Sequence, residues 1–179
     1  MGTALSWSTP LAKGRIRQLA LFAILGALTF GAKFAMSGLP NIEPVSLMVM
    51  LFAVVFGKKA VYPIGVYIAM EFLVYGPGLW NLCYLYIWFV LAAAAWLLRK
   101  MDTALGWAVL SGGFGLAFGL LCAPVDMVVG GPGYALSKVI TGIPFDIAHC
   151  VGNFVIALTL FCPLRKRMEM MGKRRIYSN

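Results

Sequence analysis

The chain has 179 residues, 61% of them hydrophobic and only 12% charged. A soluble domain carries roughly 45–50% apolar residues. Here the polar residues come in short clusters between long apolar runs, which excludes an ordinary soluble fold. The formal charge of +9 gathers at the ends of those runs, so it reports topology and contact with anionic lipid rather than nucleic-acid binding.

About 20 apolar residues are needed to cross a hydrocarbon core of about 30 Å. Six runs read as membrane spans, at about 16–36, 44–57, 60–75, 80–98, 105–129 and 144–164, followed by a basic tail at 165–179. The expected fold is therefore an all-α integral membrane protein, a single domain over 1–179 built as a six-transmembrane-helix bundle. Helices are expected because backbone groups cannot stay unpaired in lipid. The second run is short for a crossing, which implies a tilt, a kink or partial insertion.

Orientation follows from the basic residues. Lys13, Arg15 and Arg17 precede the first span, Lys58 and Lys59 separate the second from the third, and Arg99 and Lys100 separate the fourth from the fifth. Arg165, Lys166, Arg167, Lys173, Arg174 and Arg175 follow the sixth, so only Lys33 and Lys138 fall elsewhere. The positive-inside rule then places both termini in the cytoplasm. Glu43, Glu71, Asp126 and Asp146 lie in the outer half or the outer loops, which makes that half the place to look for a site.

In chain order, the first span carries small residues four apart at Ala23, Ala27, Gly31 and Ala35, a pattern that lets helices approach closely. It can serve the protein's own bundle or meet a partner. In the third span Tyr67, Glu71 and Tyr75 recur every fourth residue, and an intramembrane carboxylate is a functional candidate. Glu71 can equally form an internal pair with Lys33. The fourth span enters from outside with Asn81, Tyr84 and Trp88 at i, i+3 and i+7, below an interfacial Trp80. Trp88 lies about 12 Å below Trp80, so it is either packed core or a ring-stacking wall.

The fifth span repeats the small-residue stripe at Ser111, Gly115, Gly119 and Ala123, which packing inside the bundle explains. The outer loops are SGLPNIEP, YGPGLW and the long VDMVVGGPGYALSKVITG at 125–142, whose Asp126, Tyr134 and Lys138 suit a lid or a plain connector. In the sixth span Asp146, His149 and Asn153 share one face at i, i+3 and i+7. That face must look into protein or a wet cavity, because facing lipid is costly. Ties to neighbouring helices are the plainer reading, and a cavity lining the functional one.

Other chemistries find little support. There is no GxxxxGK[ST] phosphate loop, and a single histidine cannot make a helical HExxH zinc site. Ser111 and His149 are expected at opposite ends of the membrane, which argues against a protease pair. Cys83, Cys122, Cys150 and Cys162 lack metal-ligand spacing and read as free thiols. No enzyme activity, metal or cofactor is expected, and no cleavable signal peptide is visible.

Six short spans with both ends inside, the Ala23–Ala27 motif, LPNIEP after the first span and IPFDIAHCVGNF opening the sixth together resemble S-components. These are the substrate-binding membrane subunits of energy-coupling factor (ECF) vitamin transporters, and the resemblance covers nearly the whole chain. It implies high-affinity binding of a vitamin or related micronutrient from outside a prokaryotic cell membrane. It also implies association with a membrane coupling subunit, contacted through Ala23 and Ala27, and with two cytoplasmic ATPase subunits. On this reading Asn41, Glu71, Asn81, Tyr84, Trp88, Asp146, His149 and Asn153 form the substrate site, gated by the first and third outer loops. The acids argue against a polyanionic ligand, and a flavin, pterin, thiamine or corrinoid all remain open. The rival is a self-sufficient proton-coupled carrier using Glu71, Asp146 and His149 as a relay, although no inverted repeat is evident.

Overall fold

The computed structural model describes residues 10–38 and 42–176. Asn41, a candidate from the first outer loop, lies outside the described residues.

Among the described residues the architecture is all-helical: α1 (Pro10–Ala35), α2 (Val45–Phe56), α3 (Val61–Tyr75), α4 (Leu79–Leu97), α5 (Ala104–Leu116) and α6 (Phe118–Ile176). Four stretches are long and apolar enough to cross a membrane: Gly14–Ala35, Val45–Tyr75, Leu79–Leu97 and Ala104–Met170. The runs expected separately at 44–57 and 60–75 fall together in the second stretch. Those at 105–129 and 144–164 fall together in the fourth.

Contacts show how those two stretches bend. α2 and α3 are joined by a 3-10 turn, Gly57–Ala60, entered through Gly57 at φ 58°, a left-handed conformation that a side chain would strain. On one side of it Phe22 meets Phe56 while Lys33 faces Glu43, so α2 runs antiparallel to α1. On the other side Phe22 stacks on Tyr62 while Lys33 bonds Glu71, so α3 runs parallel to α1.

α6 departs from helical geometry at Gly131 (φ 80°, ψ 177°), with Pro132 opening the arm that follows, where its missing N–H costs nothing. The arm 132–176 returns antiparallel to α5 and 118–130: Trp107 stacks on Phe161 at 4.1 Å, and Gly119 meets Asp146. The segment 125–142, expected as an outer loop, is therefore the helical tip of a hairpin. Only Gly131 interrupts it, because its remaining residues tolerate a helix.

α2 is short, about 18 Å at 1.5 Å per residue, and sits in the middle of the bundle. Eight of its residues are buried, and its contacts are chiefly with α4 and α6. A helix walled by protein need not match the lipid thickness. The bundle exterior instead presents exposed apolar side chains such as Leu28, Leu73, Leu97, Leu120 and Val128, as a surface in contact with lipid does.

One end of the bundle is basic. Lys59 bonds Gln18, while Arg165 donates to the carbonyls of Met101 and Arg99 and pairs with Glu169. These bonds tie the α4–α5 connection to the last arm of α6.

Candidate functional site

At the opposite end from that basic cluster the helices open a cavity of about 660 Å³, a size suited to a small organic ligand. Its floor is set by Lys33 of α1, Glu43 before α2, Tyr84 of α4, and Phe118, Asp146 and His149 from the two arms of α6. Trp80, Asp126, Lys138 and Thr141 surround the mouth.

Lys33 organises the floor. Its Nζ donates to Glu71 Oε1 at 2.9 Å and to the Tyr84 hydroxyl at 3.2 Å, and lies 3.9 Å from Glu43 Oε2. The same ammonium stands 4.9 Å from the centre of the Tyr84 ring and about 6 Å from those of Tyr67 and Tyr75, close enough for cation–π attraction. Glu71 is 1% exposed and lies behind Lys33, outside the cavity lining. Of the two readings of Glu71, the geometry shows the internal pair. Burial raises the Glu43 carboxyl above its ordinary pKa, and the neighbouring Lys33 charge opposes that rise.

Asp146 has a positional role as well as a cavity face. Just past the α5–α6 junction, Gly119 N donates to both Asp146 carboxylate oxygens at 3.2 Å. A Cβ on Gly119 would lie 2.6 Å from Asp146 Oδ2, so glycine is what admits the carboxylate there. One turn deeper, His149 packs against Phe118 with ring centres 4.8 Å apart. It is 3% exposed and lines the cavity, yet its Nε2 has no hydrogen-bond partner among the described residues. A buried polar atom without a partner is costly, so this one is a natural ligand or water contact.

Three of the expected site residues, Tyr84, Asp146 and His149, thus meet around one cavity. Four others do not line it. Asn81 donates from Nδ2 to the carbonyls of Gly76 and Glu71, which satisfies the end of α3. Trp88 is fully buried beneath the floor, packed against Tyr67, Tyr84, Phe114 and Phe118. It is core rather than a ring-stacking wall. Asn153 donates to Ser46 Oγ at 2.9 Å and to the Ser111 carbonyl at 3.3 Å, joining α6 to α2 and α5. Glu71 is the fourth. Asn81, Trp88 and Asn153 are candidates by shared helical face and Glu71 as a carboxylate inside a span, and neither signal says how deep a cavity reaches. Among the described residues no direct hydrogen bond links Glu71, Asp146 and His149.

Several lining residues escaped the sequence reading. Lys33 was weighed only as a partner for Glu71, although a lone lysine inside a span is itself a signal. Glu43 reads in the sequence only as an outer-half acid, and Asp126 and Lys138 as parts of a lid or connector, none of them as a lining residue. Trp80, assigned to an interfacial belt, stacks on Phe118 with ring centres 6.2 Å apart and lines the mouth. Phe118 carried no signal at all, since its position depends on the junction at Ala117.

The two small-residue stripes separate cleanly. Ser111 and Gly115 are buried, with a Cβ on Gly115 lying 2.8 Å from the His149 carbonyl carbon and oxygen, so Ser111, expected at the far end of the membrane from His149, lies beside the next turn of the same arm. Ala23, Ala27, Gly31 and Ala35 are all exposed on α1.

No protein-family model matches the chain, and no curated protein or solved structure matches it at a significant level.

Proposed function

We propose that this multi-pass membrane protein is the substrate-binding subunit of an uptake system for a vitamin or similar micronutrient. The observation that carries the reading is the cavity at the end remote from the basic cluster, lined by aromatic rings, carboxylates and the unpartnered His149. By the positive-inside rule that end faces outward. On this reading the chain makes six passes, with the 3-10 turn at Gly57–Ala60 and both termini in the cytoplasm of a prokaryotic cell. The Gly131 turn lies on the outside.

Apolar ring faces with a few convergent polar groups suit a small planar solute. Ser37, Ile42 and Glu43 from the first outer connection and Lys138 from the hairpin tip form the gate. With no phosphate loop of its own, the chain draws its energy from a coupling subunit and two ATPase subunits. The exposed Ala23–Ala27 face of α1 is the proposed contact with the coupling subunit. This partnership rests on the sequence resemblance.

Uptake of radiolabelled B vitamins by cells expressing the chain tests the reading. Accumulation that needs the ATPase module and persists when a protonophore collapses the proton gradient supports it. Accumulation by the chain alone that follows the proton gradient favours the self-sufficient carrier instead.

A further inference from the structure

We propose that the cavity takes a ring-bearing organic cation, in preference to a neutral or anionic solute of the same size. The inference rests on the binding-subunit reading and narrows its substrate class. Three carboxylates, Glu43, Glu71 and Asp146, lie at or directly behind the floor with one ammonium, Lys33, among them. Lys33 is committed to Glu71 at 2.9 Å. Among the described residues Asp146 is held only by the neutral Gly119 N–H, with no cation in salt-bridge distance to compensate its charge.

The floor is therefore net negative and enclosed, and enclosure strengthens the attraction for a positive charge. Aromatic rings add to it. Tyr84 already faces the Lys33 ammonium at 4.9 Å, and Trp80 faces that of Lys138 at 5.8 Å. These are ring faces that attract cations. Beside the floor, His149 offers the buried, unpartnered Nε2 to a polar edge of the ligand ring. Lys138 stands at the mouth with no carboxylate in salt-bridge distance among the described residues. A bound cation pushes it outward.

The test is equilibrium titration of the purified full-length protein in detergent with thiamine (a cationic ring compound), riboflavin (neutral) and folate (anionic), read by tryptophan fluorescence. Thiamine is expected to saturate at the lowest concentration. Glu43→Gln and Asp146→Asn should each weaken it at least tenfold, and Lys138→Met, which removes a like charge from the mouth, should tighten it. Both acid variants keep the acceptor oxygen, so a folded protein with lost affinity isolates the charge. Tighter binding of riboflavin or folate than of thiamine overturns the inference and leaves the binding-subunit reading standing. So does unchanged or weaker thiamine binding in Lys138→Met. Binding of none of the three overturns the inference, while the binding-subunit reading then falls only if the wider panel of B vitamins and precursors also fails to bind.

Discussion

α1 and α5 each carry small residues four apart, and the two stripes meet opposite fates. On α5 and the first turn of α6 the stripe is closed: Gly115 lies against the His149 backbone and Gly119 against Asp146, so the hairpin's two walls pack almost backbone to backbone. On α1 the stripe faces outward, and the close approach is made one residue away from it. A Cβ on Gly26 would lie 2.6 Å from the Pro63 carbonyl oxygen and from Val66 Cβ. Equal spacing thus marks a helix surface that permits contact, without saying which contact is made. The α5 stripe shapes the cavity wall, whereas the α1 stripe is free to serve a partner.

The contrast breaks most visibly at Gly115. Gly115→Val places side-chain atoms against backbone that cannot yield, at a cost of about 3 kcal/mol. The variant should lose its monodisperse peak on size exclusion or show a large fall in melting temperature. A folded, stable variant would mean that the hairpin is looser than described.

Next comes the inward face of α1. Glu71→Gln leaves the Lys33 ammonium without its closest partner in an enclosed site, a change worth about 3 kcal/mol. Glu43 at 3.9 Å moderates the loss. Thermal unfolding with and without Glu43→Gln in the same chain measures how far, and the double variant should be less stable than either single one.

A smaller effect is expected at Asn153. Asn153→Ala removes the bonds to Ser46 and Ser111 and should cost about 1–2 kcal/mol. Because Asn153 does not line the cavity, ligand affinity should stay within twofold. A tenfold loss would return this residue to the site.

The smallest stability change is expected on the open stripe. Ala27→Leu should alter stability by no more than about 0.5 kcal/mol and leave binding intact, yet abolish uptake by blocking the proposed coupling face. Normal uptake in this variant would remove that face from the account.

Much of the fold was legible because apolar runs and basic clusters obey the membrane's own rules. Helical character and the apolar stretches follow from composition, although six spans are read there where four membrane-length stretches are described, and the polar face of the sixth run does point inward. The depth of each residue along that face was not legible. Asp146 and His149 reach the cavity while Asn153, one turn further on, is spent on helix ties. That distinction depends on where Phe118 and Lys33 close the floor, and no local pattern encodes such a closure. The segment 125–142 was misread for a related reason. Gly130, Gly131 and Pro132 look like a long loop in sequence, whereas one positive-φ glycine suffices to turn the chain.

The central claim, that the cavity is a high-affinity binding site, is tested most directly by titrating the purified protein with B vitamins and their precursors. Tryptophan fluorescence is the readout, since Trp80 lines the mouth and Trp88 lies beneath the floor. The binding-subunit reading predicts saturable quenching by one compound at submicromolar concentration, lost in His149→Ala. A flat response to every compound, with the protein folded and monodisperse, would contradict it.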